Sequence, residues 1–234
     1  MDNPFFFEVS DSAFENDIHA SDIKLKGVFL PESTTTIGVS AFNGVQGLEH
    51  ISDKYIKEGI IGCIGDNVTT IKDRAFMNTA ALRVANLPPR LTAIGSYAFS
   101  SAGPNVTLSS LPDAVARIEM AAFMACPNVH ITNFGKKSNE IGFSSALNYI
   151  GSHAFANGGS LTSGAHASVK NIYIWDSVTN MEALAFASYG SEVTIYTSYE
   201  KAPTGWTNVN DNEADGGGSA MGVKHIEYGY AGEV

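Results

Sequence analysis

The sequence predicts a β-rich solenoid built from about seven short units of roughly 23 residues each. One observation is a phrase that recurs in phase at 34–42, 68–76, 91–99, 115–123, 147–155 and 178–186, as in "LTAIGSYAF" at 91–99. A second is composition: 44% of the 234 residues are hydrophobic and 16% are charged, which is typical of a globular chain. Since a unit this short cannot bury its own apolar side, we expect the units to stack so that each covers the next.

The copies of this phrase share their apolar positions. Isoleucine stands four residues before the alanine of an Ala-Phe pair, and Met181 takes its place in the last copy. Three residues before the isoleucine comes a valine or leucine, except in the copy that has Thr34 there. A degenerate copy with Val9 lies near the N-terminus. We expect the phenylalanines to form one interior column that is the structural core: Phe14, Phe42, Phe76, Phe99, Phe123, Phe155 and Phe186.

Leucine-proline pairs divide several units, at 30–31, 87–88 and 111–112. Proline has no N–H and ends ladder pairing, so each unit is expected to contain a short strand, a turn, a second extended stretch and a compact turn or short helix with Ala-Phe. Glycine follows the isoleucine only at Gly38, Gly95 and Gly151. Because other copies carry lysine or glutamate there, we expect this position to face solvent.

The spacing of the phenylalanines separates repeats from insertions. Successive rings are 28, 34, 23, 24, 32 and 31 residues apart, so the longer gaps contain insertions, expected as loops near 52–61, 135–142 and 157–170. We expect the solenoid over 1–200, with a degenerate repeat at 1–25. Residues 201–234 leave the pattern and are expected to form a C-terminal cap or tail with an acidic, glycine-rich loop.

Two stretches carry a family resemblance: "LPPRLTAIGSYAF" and "VARIEMAAFMACPNV". They resemble the BspA-like (Treponema pallidum-type) leucine-rich repeat, whose consensus runs LxxIxIPxxVxxIGxxAFxxCxxL. The resemblance covers about 6–200 and implies a leucine-rich-repeat solenoid that is a curved, right-handed superhelix. It also implies a binding role, since members are commonly bacterial surface or secreted proteins that attach to host proteins or other cells.

Charge and apolar patterning exclude several partners. The formal net charge is −10, from 14 basic and 24 acidic residues, and such a surface repels nucleic acid and anionic lipid. No apolar run approaches the roughly 20 residues of a membrane span, so we expect no membrane insertion. The start "MDNPFFFEVS" lacks the pattern of a signal peptide. Cys63 and Cys126 do not form a disulfide framework and are expected to be buried free thiols.

The sequence predicts no catalytic residues, no metal and no cofactor, because no catalytic or nucleotide-binding motif occurs. A weak calcium alternative is the acidic loop "DNEADG", with oxygen ligands from Asp211, Glu213 and Asp215. The glutamate that a complete calcium loop needs at its twelfth position is replaced by Gly222. A solvated acidic loop is therefore the favoured interpretation.

Two groups of residues are candidates for partner binding. One is a row in the strand position just before the next turn, at Phe29, Cys63, Asn86, Ser110, Asn133 and Tyr173. The alternative is that this row is merely ladder surface, partly core at Phe29 and Cys63. The other group is an aromatic cluster near the C-terminal end, for which cap packing is the alternative to binding: Tyr196, Tyr199 and Trp206.

These observations favour a non-enzymatic protein-binding or adhesion module, located outside the cell or at its surface. Its partner would be a host or cell-surface protein. The alternative is a structural component of a larger assembly such as a phage particle, located in the virion and contacting neighbouring subunits. A hydrolase of surface polymers would need a pair of facing carboxylates, which the sequence does not single out.

Overall fold

The computed structural model describes residues 8–15, 25–52, 64–135, 146–156, 170–187, 193–207, 223 and 225–231. These residues form short strands: β1 (Glu8–Val9), β2 (Gly27–Phe29), β3 (Thr36–Ile37), β4 (His50–Ser52), β5 (Thr70–Ile71), β6 (Ala93–Ile94), β7 (Arg117–Ile118), β8 (Asn133–Phe134), β9 (Tyr149–Ile150), β10 (Asn171–Ile174), β11 (Asn180–Met181), β12 (Thr194–Thr197), β13 (Gly205–Trp206) and β14 (His225–Glu227).

The strands form three parallel sheets. The longest has eight strands in the order β1-β3-β5-β6-β7-β9-β11-β13, and a second has the order β14-β12-β10-β8. A third pairs β2 with β4. The predicted fold class, a β-rich leucine-rich-repeat solenoid, is confirmed. In the described part of the chain the Ala-Phe segments are turns, and no helix there could cross a membrane.

The eight-stranded sheet is held in the register that the repeated phrase predicts. Ile37 pairs with Ile71, Ile71 with Ile94, and the file continues through Ile118 and Ile150 to Met181. All of these side chains are buried, while the residue before each is partly or fully exposed. Because strand side chains alternate between faces, two residues per coil suffice to give the sheet an inner and an outer side.

The phenylalanine rings stack in one file inside the solenoid. Neighbouring centroids are 5.1–5.5 Å apart and the ring planes lie within 20° of parallel, from Phe14 to Phe186. The ring of Phe134 meets Phe155 and Phe186 edge-on. The expectation of burial is wrong for Phe14, which is 42% exposed, because within the described part of the chain this first ring of the file is stacked against Phe42 alone.

The Ala-Phe turns are joined from coil to coil by backbone hydrogen bonds. From Phe14 to Phe155, the N–H of each phenylalanine in the file donates to the carbonyl of the alanine in the next coil, as from Phe42 to Ala75 and from Phe99 to Ala122, both at 2.8 Å. The alanines are fully buried from Ala41 onward. A small side chain is required there because the neighbouring coil's backbone passes within hydrogen-bonding distance.

These turns require a left-handed backbone at a fixed position. The residue before Ala-Phe has φ between 53° and 59° in every unit, and none of them is glycine: Ser12, Ser40, Arg74, Tyr97, Ala121, His153 and Leu184. A left-handed residue with a Cβ costs about 1–2 kcal/mol. Its N–H is in turn bonded to the next coil, as from Tyr97 to the Met120 carbonyl at 2.8 Å, which offsets part of that cost.

The glycines after the strand isoleucines are buried, so the expectation that this position faces solvent is wrong for Gly38, Gly95 and Gly151. A Cβ on Gly95 would lie 2.5 Å from the Asp73 backbone nitrogen, and one on Gly151 would lie 2.6 Å from that of Met120. Glycine alternates there with larger residues, since Lys72, Glu119 and Glu182 occupy the intervening coils. Glycine is needed at these positions because the backbone of the preceding coil approaches closely, and not because the residue has a positive φ.

Two short segments continue the sheets beyond the last full repeat. Strand β13 pairs with β11 and ends the long sheet, and β14 pairs with β12 at the edge of the four-stranded sheet. Part of 201–234 therefore extends both ladders. The division into 1–200 and 201–234 remains a prediction.

Replacing a central ring of the stack should be costly. We expect Phe99→Ala to lower the free energy of unfolding by about 3–5 kcal/mol, because it leaves a cavity between two stacked neighbours. Phe14→Ala is the matched control and should cost about 1 kcal/mol, since that ring is already partly in water. Urea titration measures both losses of unfolding free energy, provided that the dependence of this free energy on urea concentration is the same in the variants and the wild type. Equal losses in the two variants would contradict an internal file.

The buried glycine position gives a second test. We expect Gly95→Ala to destabilise the protein by about 1–3 kcal/mol, because the new methyl group meets backbone and not a movable side chain. In the neighbouring coil Glu119→Ala changes the same position without adding an atom, and should cost less than about 1 kcal/mol. Thermal unfolding of both variants decides the question. A Gly95→Ala protein as stable as the wild type would show that the coils can separate there.

Candidate functional site

The outer face of the four-stranded sheet carries three of the candidate binding residues. Asn133 on β8 is the register partner of Tyr173 on β10, which pairs with Tyr196 on β12. In β10 the flanking Ile172 and Ile174 point inward and are buried. Strand alternation therefore turns Asn133, Tyr173 and Tyr196 to the same, outer side.

Aromatic rings collect on this face. Tyr173 and Tyr196 are stacked, with centroids 5.5 Å apart and planes 24° apart. Tyr230 leans across them, 5.7 Å from Tyr173 and 4.9 Å from Tyr196. Trp175 adds a parallel ring 6.1 Å from Tyr173. We call the surface of Asn133, Tyr173, Tyr196 and Tyr230 the aromatic face.

A groove of about 170 Å³ adjoins the aromatic face. Ser110 and Asn133, both exposed, line it together with Asp113, Leu111 and other apolar side chains. The groove therefore joins two residues of the predicted row to a carboxylate. Charge, amide, hydroxyl and ring groups meet within one stretch of surface.

The other predicted row residues lie apart from this surface. Phe29 is 64% exposed on β2, in the two-stranded sheet, and Asn86 is exposed on a coil near the start of the long sheet. Cys63 lies outside the described residues. Of the row that the sequence predicts, the structure brings together only Ser110 and Asn133, which line one groove, and Tyr173, which pairs with Asn133.

The predicted aromatic cluster is divided by the structure. Trp206 is only 4% exposed and donates its indole N–H to the Val178 carbonyl at 3.1 Å. Tyr199 packs edge-on against Trp206 and donates its hydroxyl to the Asp176 carbonyl at 2.7 Å. Trp206 therefore packs against the last repeat, in keeping with the cap-packing alternative, and of the three residues only Tyr196 joins the aromatic face.

Sequence reasoning missed Trp175, Tyr230 and Asp113. The alternation of apolar and aromatic residues in "NIYIW" at 171–175 could have placed Trp175 with Tyr173. Tyr230 carries no such signal, since its contacts to β10 and β12 depend on how the chain returns near its end. Asp113 follows a Leu-Pro pair and reads only as a turn residue.

A second cluster of polar groups lies on the long sheet. The Arg117 guanidinium sits 3.9 Å from the ring centroid of Tyr149 and bonds Glu119 at 2.7 Å. The Tyr149 hydroxyl donates to Glu182 at 2.6 Å. Burial, followed by the hydrogen bond to Glu182, raises the pKa of Tyr149 to about 12. These contacts link side chains of neighbouring strands, so we assign the cluster to stabilising the sheet.

Among the described residues, the remaining candidate chemical groups show no sign of a site. Cys126 is a buried free thiol whose Sγ donates to the Phe99 carbonyl at 2.9 Å, and burial raises its pKa to about 12. The described part of the chain holds no group of three or more histidine, cysteine or acidic residues able to bind a metal ion. Asp211, Glu213 and Asp215 lie outside the described residues, and the calcium alternative stays a prediction.

The repeats match the family model of the BspA type leucine rich repeat region in six copies, over residues 7–60 and 63–192. The chain belongs to this family. It is the family that the recurring Ile and Ala-Phe positions resemble, and BspA-type repeats account for the parallel sheets and stacked rings described above. Comparison with curated proteins gives no significant match.

Three solved structures are similar to this BspA-type chain. A leucine-rich repeat protein from Bacteroides ovatus is 19% identical, with a TM-score of 0.43, covering 94% of this chain and 64% of its own. A leucine rich cell surface protein from Faecalibacterium prausnitzii is 15% identical, with a TM-score of 0.40 and coverage of 97% and 83%. The pneumococcal vaccine antigen PcpA is 16% identical, with a TM-score of 0.32 and coverage of 94% and 70%. This chain thus spans less than two thirds of the Bacteroides protein.

The Tyr149 cluster predicts an alkaline titration. Because the folded pKa is raised above the ordinary value of about 10, the neutral phenol's contribution to stability is complete below pH 10 and is lost as the pH rises through about 12. The absorbance at 295 nm of wild type minus Tyr149→Phe should therefore show one phenol titrating near pH 12. Glu182→Gln should lower this pKa. A difference curve centred near pH 10 would contradict the cluster.

Proposed function

We propose that this chain is a non-enzymatic protein-binding module that recognises its partner through the aromatic face. Membership of the BspA-type family supports a binding role in general. The observation that carries the specific proposal is that three partly exposed tyrosines lie together: Tyr173 and Tyr196 on neighbouring strands of one sheet, and Tyr230 packed against both. Tyrosine is enriched at the energetic centres of protein interfaces, because its ring offers apolar area and its hydroxyl a hydrogen bond.

The sheet suits recognition because it is rigid before the partner arrives. Ring positions are fixed by four register pairs between β10 and β12 and by buried isoleucines beneath them. Side chains held in place by packing lose little conformational freedom on binding. Ser110, Asp113 and Asn133 in the otherwise apolar groove supply the hydrogen-bonding groups of the kind that rim an interface centre.

We place this binding at a bacterial surface or in secreted material, with a host or cell-surface protein as the partner. The family resemblance supports this location, and the net charge of −10 disfavours nucleic acid as the ligand. Residues 1–200 would form the binding solenoid and 201–234 its cap. A subunit role in a larger assembly, such as a phage particle, is the competing outcome of the test below.

Binding to a panel of purified extracellular-matrix and cell-surface proteins, measured by surface plasmon resonance, tests the proposal. We expect the double variant Tyr173→Ser/Tyr196→Ser to weaken a binding signal by about 10-fold or more, as loss of an interface centre does. Tyr97→Ser removes a tyrosine on another surface and should bind like the wild type.

Equal binding by the double variant and the Tyr97→Ser control would contradict the aromatic face as the binding site. Light scattering on the same samples addresses the alternative. Growth of the isolated protein into regular oligomers, with no binding to any panel member, would favour a subunit of an assembly.

A further inference from the structure

The three tyrosines of the aromatic face form one packed cluster. Tyr230 lies across the other two, with its ring centroid 4.9 Å from that of Tyr196 and 5.7 Å from that of Tyr173. All three residues are partly exposed. Among the described residues, contacts between tyrosine rings are confined to this cluster. A reaction that needs two phenols side by side is therefore favoured here over the rest of the described chain.

Backbone contacts hold these rings in place before any reaction. Tyr173 and Tyr196 are register partners on β10 and β12. Strand β14 pairs with β12, and the N–H of Tyr230, which follows β14, donates to the Thr197 carbonyl at 2.8 Å. Two groups held together within one chain react as if their concentration were far above that of separate molecules.

Within the cluster, the hydroxyl of Tyr230 meets the hydroxyl of Tyr173. Partial desolvation, followed by the electrostatic interaction with Tyr173 and a hydrogen bond with it, raises the pKa of Tyr230, and Tyr196 contributes only through electrostatics. The ring planes of Tyr173 and Tyr230 are 41° apart, whereas Tyr173 and Tyr196 are stacked at 24°. A phenoxyl radical couples at the ring carbons beside its oxygen, so hydroxyls within hydrogen-bonding reach bring the coupling positions of Tyr173 and Tyr230 close together.

We infer that Tyr173 and Tyr230 are the site of an oxidative cross-link, a dityrosine formed by a haem peroxidase with hydrogen peroxide. Each phenol loses one electron and its hydroxyl proton, and the two radicals form a carbon–carbon bond between ring positions beside the oxygens. The hydrogens at those two positions leave as protons while the oxygens regain protons, which restores both hydroxyls. The two electrons and two protons removed overall reduce one hydrogen peroxide to two waters.

The cross-link staples the segment that contains β14 to the four-stranded sheet. Its two residues are 57 positions apart in sequence, and closing a loop of that length restricts the unfolded chain and so favours the folded one. This inference is independent of the proposed binding role, because it needs only the two phenols and an oxidant.

Treatment of the full chain, at low micromolar concentration, with a haem peroxidase and hydrogen peroxide tests this inference. We expect the monomer band of a denaturing gel to acquire the blue fluorescence of dityrosine. After proteolysis, mass spectrometry should find the peptides that contain Tyr173 and Tyr230 joined, with a mass two hydrogen atoms below their sum.

Tyrosine-to-phenylalanine variants keep each ring in place and remove only the phenol, so we expect them to fold. Tyr173→Phe and Tyr230→Phe should each lower the monomer fluorescence by about 10-fold or more, because the held pair is lost. Tyr196→Phe is the matched control within the cluster and should keep most of the signal. Tyr97→Phe removes a partly exposed phenol on another surface and should behave like the wild type.

The unfolding temperature gives a second readout. We expect the oxidised wild type to unfold about 5 °C or more above oxidised Tyr230→Phe, which undergoes the same side reactions without the link. Monomer dityrosine that persists in Tyr173→Phe and Tyr230→Phe, or that joins other tyrosines, would overturn the inference. So would coupling found only between chains, and a link without the rise in unfolding temperature would contradict the staple.

Discussion

The backbone hydrogen bonds that join each Ala-Phe turn to the next coil are the constraint from which the rest of the structure follows. Phenylalanine N–H groups donate to the following coil's alanine carbonyls at 2.7–2.8 Å. Such bonds hold the turn at the same spacing as the parallel strands. With both the strand side and the turn side tied at one spacing, equivalent side chains of successive coils must lie over one another.

Ring stacking and backbone spacing reinforce each other. The ring centroids lie 5.1–5.5 Å apart, slightly more than the strand spacing of about 4.8 Å. This centroid distance is within the range that offset parallel rings prefer. The alanine before each phenylalanine leaves room for the backbone bond, and the left-handed residue before it turns the chain back. The cost of the left-handed residue and the gain from the backbone hydrogen bond and the stacked ring thus fall on three consecutive residues. This is why the phrase recurs so strictly.

The sequence was informative where a position needs one type of side chain and uninformative where it needs a backbone shape. Isoleucine and phenylalanine positions could be read directly, because burial selects their size. The left-handed residues could not, since serine, arginine, tyrosine and leucine give no signal of positive φ. At the site, Asn133 and Tyr173 followed from their repeat position, whereas Tyr230 and Asp113 come together with them only through tertiary contacts.

The spacing of the coils does not depend on the length of the segments that connect them, and this independence has an evolutionary consequence. Consecutive phenylalanines are 23 to 34 residues apart in sequence, yet their rings remain equally spaced in the file. Natural variation can therefore lengthen a connection without disturbing its neighbours' geometry. In such a protein, new recognition properties can arise by insertion between coils whose own geometry stays the same.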